Sequence, residues 1–214
     1  MYKILALENW ELERNRFALE EKDKCYYYMT YDSWSSIFDN EQKQIVSNLK
    51  ISPQDIRKNP LREKYKTKSI ATISEWLIQT IKKHPELTNF LWIPAPPSKA
   101  HGDENHDNRL VRILELVSAA IPEFIFFDAL YVKKSVDESH KTNERDVQKK
   151  LQNLGIDENF INKLKNKSVV IFDDVLTTGT TFKAAQIKIH QIDNALKVIG
   201  IFIAKAIATS NDNI

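Results

Sequence analysis

Apolar residues recur along this chain at two alternating spacings, one suited to strands and one to helices. Tyr2-Lys-Ile-Leu-Ala-Leu7 and Cys25-Tyr-Tyr-Tyr-Met-Thr-Tyr31 read as short strands, the second rich in aromatic side chains. Ile37, Phe38, Ile45, Val46 and Leu49 predict a helix over 35–50. From Ser69 the alternation becomes regular. Ile70, Ile73, Trp76, Leu77 and Ile81 mark one amphipathic helix, and Leu110, Ile113, Leu114 and Val117 a second. Asn89–Ile93 reads as a buried strand stopped by Pro94-Ala-Pro-Pro97, and Phe124–Val132 as another. A polar loop spans 133–145, and a short helix carries Val147 and Leu151. Ser168–Phe172 lacks any polar alternation, as a parallel strand covered on both faces does. A helix over Thr180–Ile192 and a last strand over Val198–Ala204 follow. Strands alternating with helices predict an α/β fold, a parallel sheet with helices on both faces.

Composition narrows the functional classes. The chain has 214 residues, 31 basic and 29 acidic, with a formal net charge of +2. That balance excludes a histone-like protein or an acidic tail but permits a local basic face. One cysteine, Cys25, excludes an intramolecular disulfide and a cysteine-built zinc site, and points to a reducing, cytoplasmic home. The N-terminal apolar run is too short for a signal peptide, and Ala119–Val132 is broken by Pro122, Glu123 and Asp128, so no membrane span is expected. Lys50, Arg57, Lys58, Arg62, Lys64, Lys66 and Lys68 form a basic run opposed only by Asp55 and Glu63. It reads as a solvated helix face, as a field drawing in an anionic substrate, or as a nucleic-acid contact with Tyr65 as its one aromatic residue.

The segment that carries chemistry is Val169-Val-Ile-Phe-Asp173-Asp174-Val175-Leu176-Thr177-Thr178-Gly179-Thr180-Thr181. A hydrophobic strand ends in two carboxylates, and a hydroxyl-rich turn with one glycine leads into a helix. Backbone N–H groups, threonine hydroxyls and a helix N-terminus suit a phosphate. Gly179 lets the backbone approach it closely. Paired acids do not ligate phosphate; they suit vicinal hydroxyls or a magnesium ion. A phosphate beside a diol describes a ribose 5-phosphate. A Walker A loop is excluded, since no lysine follows Gly179 and the acids precede the turn.

This run resembles the phosphoribosyl pyrophosphate (PRPP) motif of the type I phosphoribosyltransferases: an apolar strand, two acids, two apolar residues, then Thr-Thr-Gly-x-Thr. The resemblance implies that Asp173 and Asp174 hold the ribose hydroxyls, and meet Mg2+ directly or through PRPP and water. It implies that residues from Val175 and Leu176 through Thr177, Thr178, Gly179, Thr180 and Thr181 form the 5-phosphate cradle. A pyrophosphate loop is then expected at the end of another core strand, and Ala95, Pro96, Pro97, Ser98 and Lys99 fit, with Arg109 as a second cation. Ala95-Pro96 and Pro96-Pro97 are bonds at which the family's cis peptide would fall. The family also keeps a mobile catalytic loop where this chain has 133–145. Lys133, Lys134 and Arg145 are its candidate cations and His140 its candidate proton carrier.

The order of elements is closest to ComF-like proteins: Tyr26-Tyr-Tyr28, Lys50, Ile93-Pro-Ala-Pro-Pro97, Gln148-Lys-Lys-Leu151 and the PRPP motif stand in their sequence. The four-cysteine ribbon usual there is missing, and His101-Gly-Asp-Glu-Asn-His106-Asp replaces an Arg-Gly-Phe-Asn-rich stretch. His101, Asp103, Glu104, His106 and Asp107 read as a solvated turn rather than a metal site. Thr177 stands where hypoxanthine–guanine enzymes carry an acidic base. Lys205 lies where they read a purine carbonyl.

The resemblance implies a type I fold with a Rossmann-like sheet, divided into an N-terminal hood over 1–68 and a core over 69–214. It implies an enzyme that moves ribose 5-phosphate from PRPP to a nitrogen acceptor such as a nucleobase, releasing pyrophosphate, and works as a homodimer. The alternatives are a non-catalytic PRPP sensor and a nucleic-acid-associated regulator in a competence, phage-defence or toxin–antitoxin setting.

Overall fold

The computed structural model describes residues 4–8, 11, 18–31, 41–136, 147–164 and 167–207. Strands β1 (Leu5–Ala6), β2 (Lys24–Tyr31), β3 (Leu91–Pro94), β4 (Ile125–Phe126), β7 (Val169–Leu176) and β8 (Val198–Ala206) build one six-stranded sheet in the order β1-β2-β8-β7-β3-β4. The β1–β2 pair is antiparallel and the other pairs are parallel, so the sheet is mixed. The described helices are α1 (Glu41–Leu49), α2 (Pro53–Lys58), α3 (Arg62–Lys83), α4 (Arg109–Ala120), α5 (Val147–Asn153), α6 (Glu158–Leu164) and α7 (Thr180–His190), with a 3-10 turn at Pro85–Asn89. The architecture is α/β and Rossmann-like. No described helix is long and apolar enough to cross a membrane.

Topology explains where a ligand would sit. From β3 the chain crosses through α4 to β4 on one side; from β7 it crosses through α7 to β8 on the other. Right-handed crossovers in opposite directions put α4 and α7 on opposite faces. Accordingly α4 packs with α3, and α3 with α1, while α7 packs with α5. The gap between β3 and β7 is therefore the switch point of the sheet, and its carboxyl edge is the crevice that such sheets offer to ligands.

The core follows from the sequence pattern. Every residue of β7 is buried except Asp173, which is half-buried. Trp92 on β3 packs its ring against Phe124 and Phe172, with centroids 5.1 and 6.2 Å apart. Phe182 of α7 meets Phe202 of β8 edge-on at 6.3 Å. Cys25 is buried in the same core, and burial pushes its thiol well above the ordinary range.

Several elements differ from the sequence expectation. Phe124–Val132 is not one strand: β4 joins the main sheet, whereas β5 (Leu130–Val132) pairs with β6 (Leu154–Ile156) in a separate antiparallel ribbon. The β6–α6 segment had no periodicity long enough to announce it. Helix α2 does have a signal. Ser52 accepts from the Asp55 N–H while the Asp55 carboxylate takes the Ser52 N–H, Pro53 opens the helix, and Arg57 and Lys58 close it. The position 68/69, expected between hood and core, lies inside the unbroken helix α3, and β2 is an interior strand paired with β8.

Candidate functional site

Strand β7 outruns its neighbour. Pairing with β3 ends at Pro94 opposite Phe172, and the Ala95 N–H closes on the Phe172 carbonyl at 2.8 Å. Along β8 the strand continues through Asp173 and Asp174 to Leu176 opposite Lys205. Both acids are therefore strand residues, and the strand runs two residues beyond them, to Leu176. Beside them the chain after β3 runs through Ala95, Pro96 and Pro97, and these three line a depression together with Arg109, Asp128 and Asp173. Residues assigned from sequence to the ribose and to the pyrophosphate thus share one hollow. Among the described residues every peptide bond is trans, including Ala95-Pro96 and Pro96-Pro97, the bonds at which the resemblance would put a cis peptide.

The two acids occupy different surroundings. Asp174 is 7% exposed. Its Oδ2 accepts from Arg109 Nε at 3.1 Å and Arg109 Nη2 at 2.6 Å, and its Oδ1 accepts from the Val175 N–H at 2.6 Å. Lys50 Nζ stands 3.7 Å away. Burial alone would raise the Asp174 carboxyl, but Lys50 and Arg109 outweigh it and hold the group below the usual range. Among the described residues no cation lies within ion-pair distance of Asp173; its Oδ1 accepts the Asp174 N–H at 2.8 Å. Burial first, and the Asp174 charge second, push its carboxyl well above the ordinary value.

That difference has a consequence for stability. A carboxyl raised on folding favours the folded state below its unfolded value of about 4, and this contribution is lost as pH rises toward the folded value. Asp173→Asn should therefore unfold at a higher temperature than the parent at pH 8 and show no gain at pH 4. Equal melting temperatures at pH 8 would contradict the raised carboxyl.

Behind Asp174 runs a chain of ion pairs through the half-buried Arg109 and Asp107 to the buried Lys66. Arg109 Nη1 donates to Asp107 Oδ2 at 2.7 Å, and Lys66 Nζ donates to Asp107 Oδ1 and the Ile51 carbonyl, each at 2.7 Å. Lys66 is 1% exposed. Two cations of the basic run, Lys50 and Lys66, are thus turned toward the site. Arg57 is tied to Asn105 and Glu104, and Arg62 to Asp55.

The turn after β7 is held from outside. Gly179 sits at φ +75°, a left-handed conformation, and leads into α7 with no side chain capping the helix. Thr178 and Thr180 hydroxyls lie 3.2 Å apart. The Ala18 N–H donates to the Thr178 carbonyl at 2.6 Å, and the Leu19 side chain covers Gly179. Asp23 accepts from Lys183 at 2.8 Å and Gln186 at 2.9 Å on α7. On the other side Lys150 of α5 donates to Thr181 Oγ1 at 2.7 Å. Among the described residues no carboxylate lies within ion-pair distance of Lys150, so a half-buried ammonium stands at the positive end of a helix. Sequence reasoning passed over Lys150; the Gln148–Leu151 helix that carries it was its only signal.

The other sequence candidates divide. Lys133 Nζ donates to the Gln152 carbonyl at 2.9 Å, and the Lys134 backbone is pinned to the Asn153 side chain. Ser135 bonds Ala100 and Asp103, and the Val136 N–H bonds the Ser98 carbonyl, so the stem of the 133–145 segment is stitched to the chain beyond the proline turn. Lys99 offers its carbonyl to His106. His140 and Arg145 lie outside the described residues. Lys205 is buried and ion-paired with Glu11, beneath the Tyr27 ring. Asp103, Glu104, His106 and Asp107 take separate hydrogen-bond or ion-pair partners, the His101 ring lies 4.6 Å from the His106 ring, and no three such groups converge on a metal position among the described residues. No protein-family model matches the chain, and no curated protein matches it either.

Proposed function

We propose that the protein is a PRPP-dependent phosphoribosyltransferase with the type I arrangement of its sheet edge, moving ribose 5-phosphate to a nitrogen acceptor. One observation carries the reading. The half-buried Asp173, the proline turn and Arg109 line one hollow at the switch point of the sheet, next to an uncapped helix reached through a left-handed glycine. In this reading the turn from Thr177 to Thr181 takes the 5-phosphate with backbone N–H groups and hydroxyls. Asp173 takes the ribose hydroxyls. Ala95 to Lys99, with Arg109, receives the pyrophosphate.

The donor set fits a magnesium ion brought in on pyrophosphate better than one caged by protein, because the carboxylates at the hollow, Asp107, Asp128 and Asp173, do not converge on one metal position among the described residues and Asp174 is engaged by Arg109. Asp173 would meet that ion directly or through water, and the ion's contribution is to offset charge on the leaving group. The bond from C1 of the ribose to the pyrophosphate oxygen breaks as the acceptor nitrogen bonds C1. The negative charge that accumulates on pyrophosphate is met by Arg109 and by cations of the 133–145 segment, in the manner of other preorganised electrostatic sites. The bonds of Ser135 to Ala100 and of Val136 to Ser98 support this reading for residues 133–136.

The test is a screen of nucleobases with PRPP and magnesium, following pyrophosphate release. Release with one acceptor class supports the enzyme. PRPP binding without release for any acceptor would replace it by a sensing module, and absence of PRPP binding would remove the reading.

Lys150→Met gives a finer check. A charge-assisted hydrogen bond contributes about 1.5–3 kcal/mol, so ribose 5-phosphate affinity should fall about tenfold to a hundredfold, with Lys150→Arg recovering part of it. Unchanged affinity in calorimetry would place the phosphate elsewhere.

A further inference from the structure

The two adjacent acids differ in what they touch, and so does what they are able to bind. Asp174 has both carboxylate oxygens engaged, one by the Val175 N–H and one by two nitrogens of Arg109. Asp173 is half-buried and lines the hollow. Arg109 in turn is held at both ends: Asp174 grips Nε and Nη2, and Asp107 grips Nη1, while Lys66 fixes Asp107 from beneath. A guanidinium has five N–H donors. Three are committed to these carboxylates, so two are left for an anion. The Arg109 side chain is 17% exposed, and the residue lines the hollow next to Pro96 and Pro97.

We propose that Asp174 is a positioning residue that holds Arg109 against the proline turn for the pyrophosphate, while Asp173 alone meets the ribose hydroxyls. This assignment rests on the phosphoribosyl reading of the same site. A long arginine side chain loses much rotamer freedom when it binds. Two carboxylates that fix its plane beforehand remove that loss from the binding step. They also aim its remaining N–H groups, which a bidentate contact to a phosphate needs. The arrangement divides labour between neighbours on one strand: the half-buried acid faces the ligand, and the buried acid faces a cation that faces the ligand.

The division predicts a double dissociation between two simple probes, ribose 5-phosphate and pyrophosphate, each titrated without magnesium into the full chain by calorimetry. Asp173→Asn should weaken ribose 5-phosphate at least tenfold and change pyrophosphate less than threefold. Asp174→Asn should do the reverse, weakening pyrophosphate at least tenfold and ribose 5-phosphate less than threefold. A residue that merely supports the fold would lower both affinities together. If Asp174→Asn does not fold, Arg109→Gln decides. It leaves Asp174 in place without its arginine, so pyrophosphate affinity should fall tenfold while ribose 5-phosphate affinity stays within threefold. A rise or a fall in ribose 5-phosphate affinity beyond that range would return Asp174 to the ribose and overturn the assignment. So would a tenfold loss of ribose 5-phosphate binding in Asp174→Asn with pyrophosphate unaffected. If the parent binds neither ribose 5-phosphate nor PRPP, the phosphoribosyl reading itself fails and takes the assignment with it. That outcome is distinct from a parent that binds both and variants that do not separate them.

Discussion

Gly179→Ala is expected to lower the stability of the fold by about 2–5 kcal/mol and to weaken ribose 5-phosphate binding at least tenfold. Two separate costs add. The backbone at Gly179 has φ +75°, where an L side chain is strained by about 1–2 kcal/mol. A Cβ built there would also stand 2.6 Å from Leu19 Cγ and 2.8 Å from Leu19 Cδ2. Leu19 is buried, so it has little room to retreat, and overpacking of this kind costs about 1–3 kcal/mol. The two costs separate in a cycle with Leu19→Ala. The double variant should lose less than the sum of the singles by at least about 1 kcal/mol, because the smaller side chain removes the overlap and leaves the strain. Urea unfolding measures all three variants. Additivity within about 0.5 kcal/mol, the usual scatter for independent sites, would mean that Leu19 does not cover the glycine. In the proposed function the affinity loss has the same origin: the turn relieves the overlap by moving the N–H groups that would meet the phosphate.

Lys66→Met should cost about 3 kcal/mol, at the lower end of what removing one partner of a buried ion pair costs. Lys66 is 1% exposed and donates to Asp107 and to the Ile51 carbonyl. Methionine keeps most of the apolar stem, one atom shorter, but leaves the half-buried Asp107 with one cation, Arg109, instead of two, and leaves the Ile51 carbonyl without this donor. The cost stays near the lower limit because Arg109 still neutralises Asp107. Adding Asp107→Asn should offset part of it, since the uncompensated charge is then gone. A Lys66→Met variant within about 1 kcal/mol of the parent would mean that the ammonium contributes little beyond the packing of its stem.

The strands and helices were legible where the apolar spacing was long. Ser168–Phe172 and Asn89–Ile93 overlap the observed strands β7 and β3, and the Ile70–Ile81 and Leu110–Val117 stripes fall within observed helices, because burial on one face or both leaves a periodic mark. Shorter pieces were not legible. β6 spans Leu154–Ile156 and exists because β5 pairs with it, so its cause lies elsewhere in the chain. The split of Phe124–Val132 between two sheets has the same origin: local residues cannot say which partner a strand will find. α2 was the opposite case, a helix whose capping box at Ser52 and Asp55 was present and unread beneath the charge of the basic run.

Sequence alone determined the α/β class and the strand–turn–helix around Asp173 to Thr181, because each depends on neighbours in the chain. The tertiary structure decided everything that depends on partners far apart in sequence. Asp174 and Arg109 are 65 residues apart and bonded, Lys150 reaches Thr181 across 31, and Asp23 reaches Gln186 across 163. Two adjacent aspartates look equivalent in a one-dimensional reading. They become different groups once β7 runs past the end of β3, one buried against an arginine and the other half-buried at the hollow. The physical reason is that a carboxylate's chemistry is set by solvent and by the charges within a few ångströms, and the fold rather than the motif supplies both.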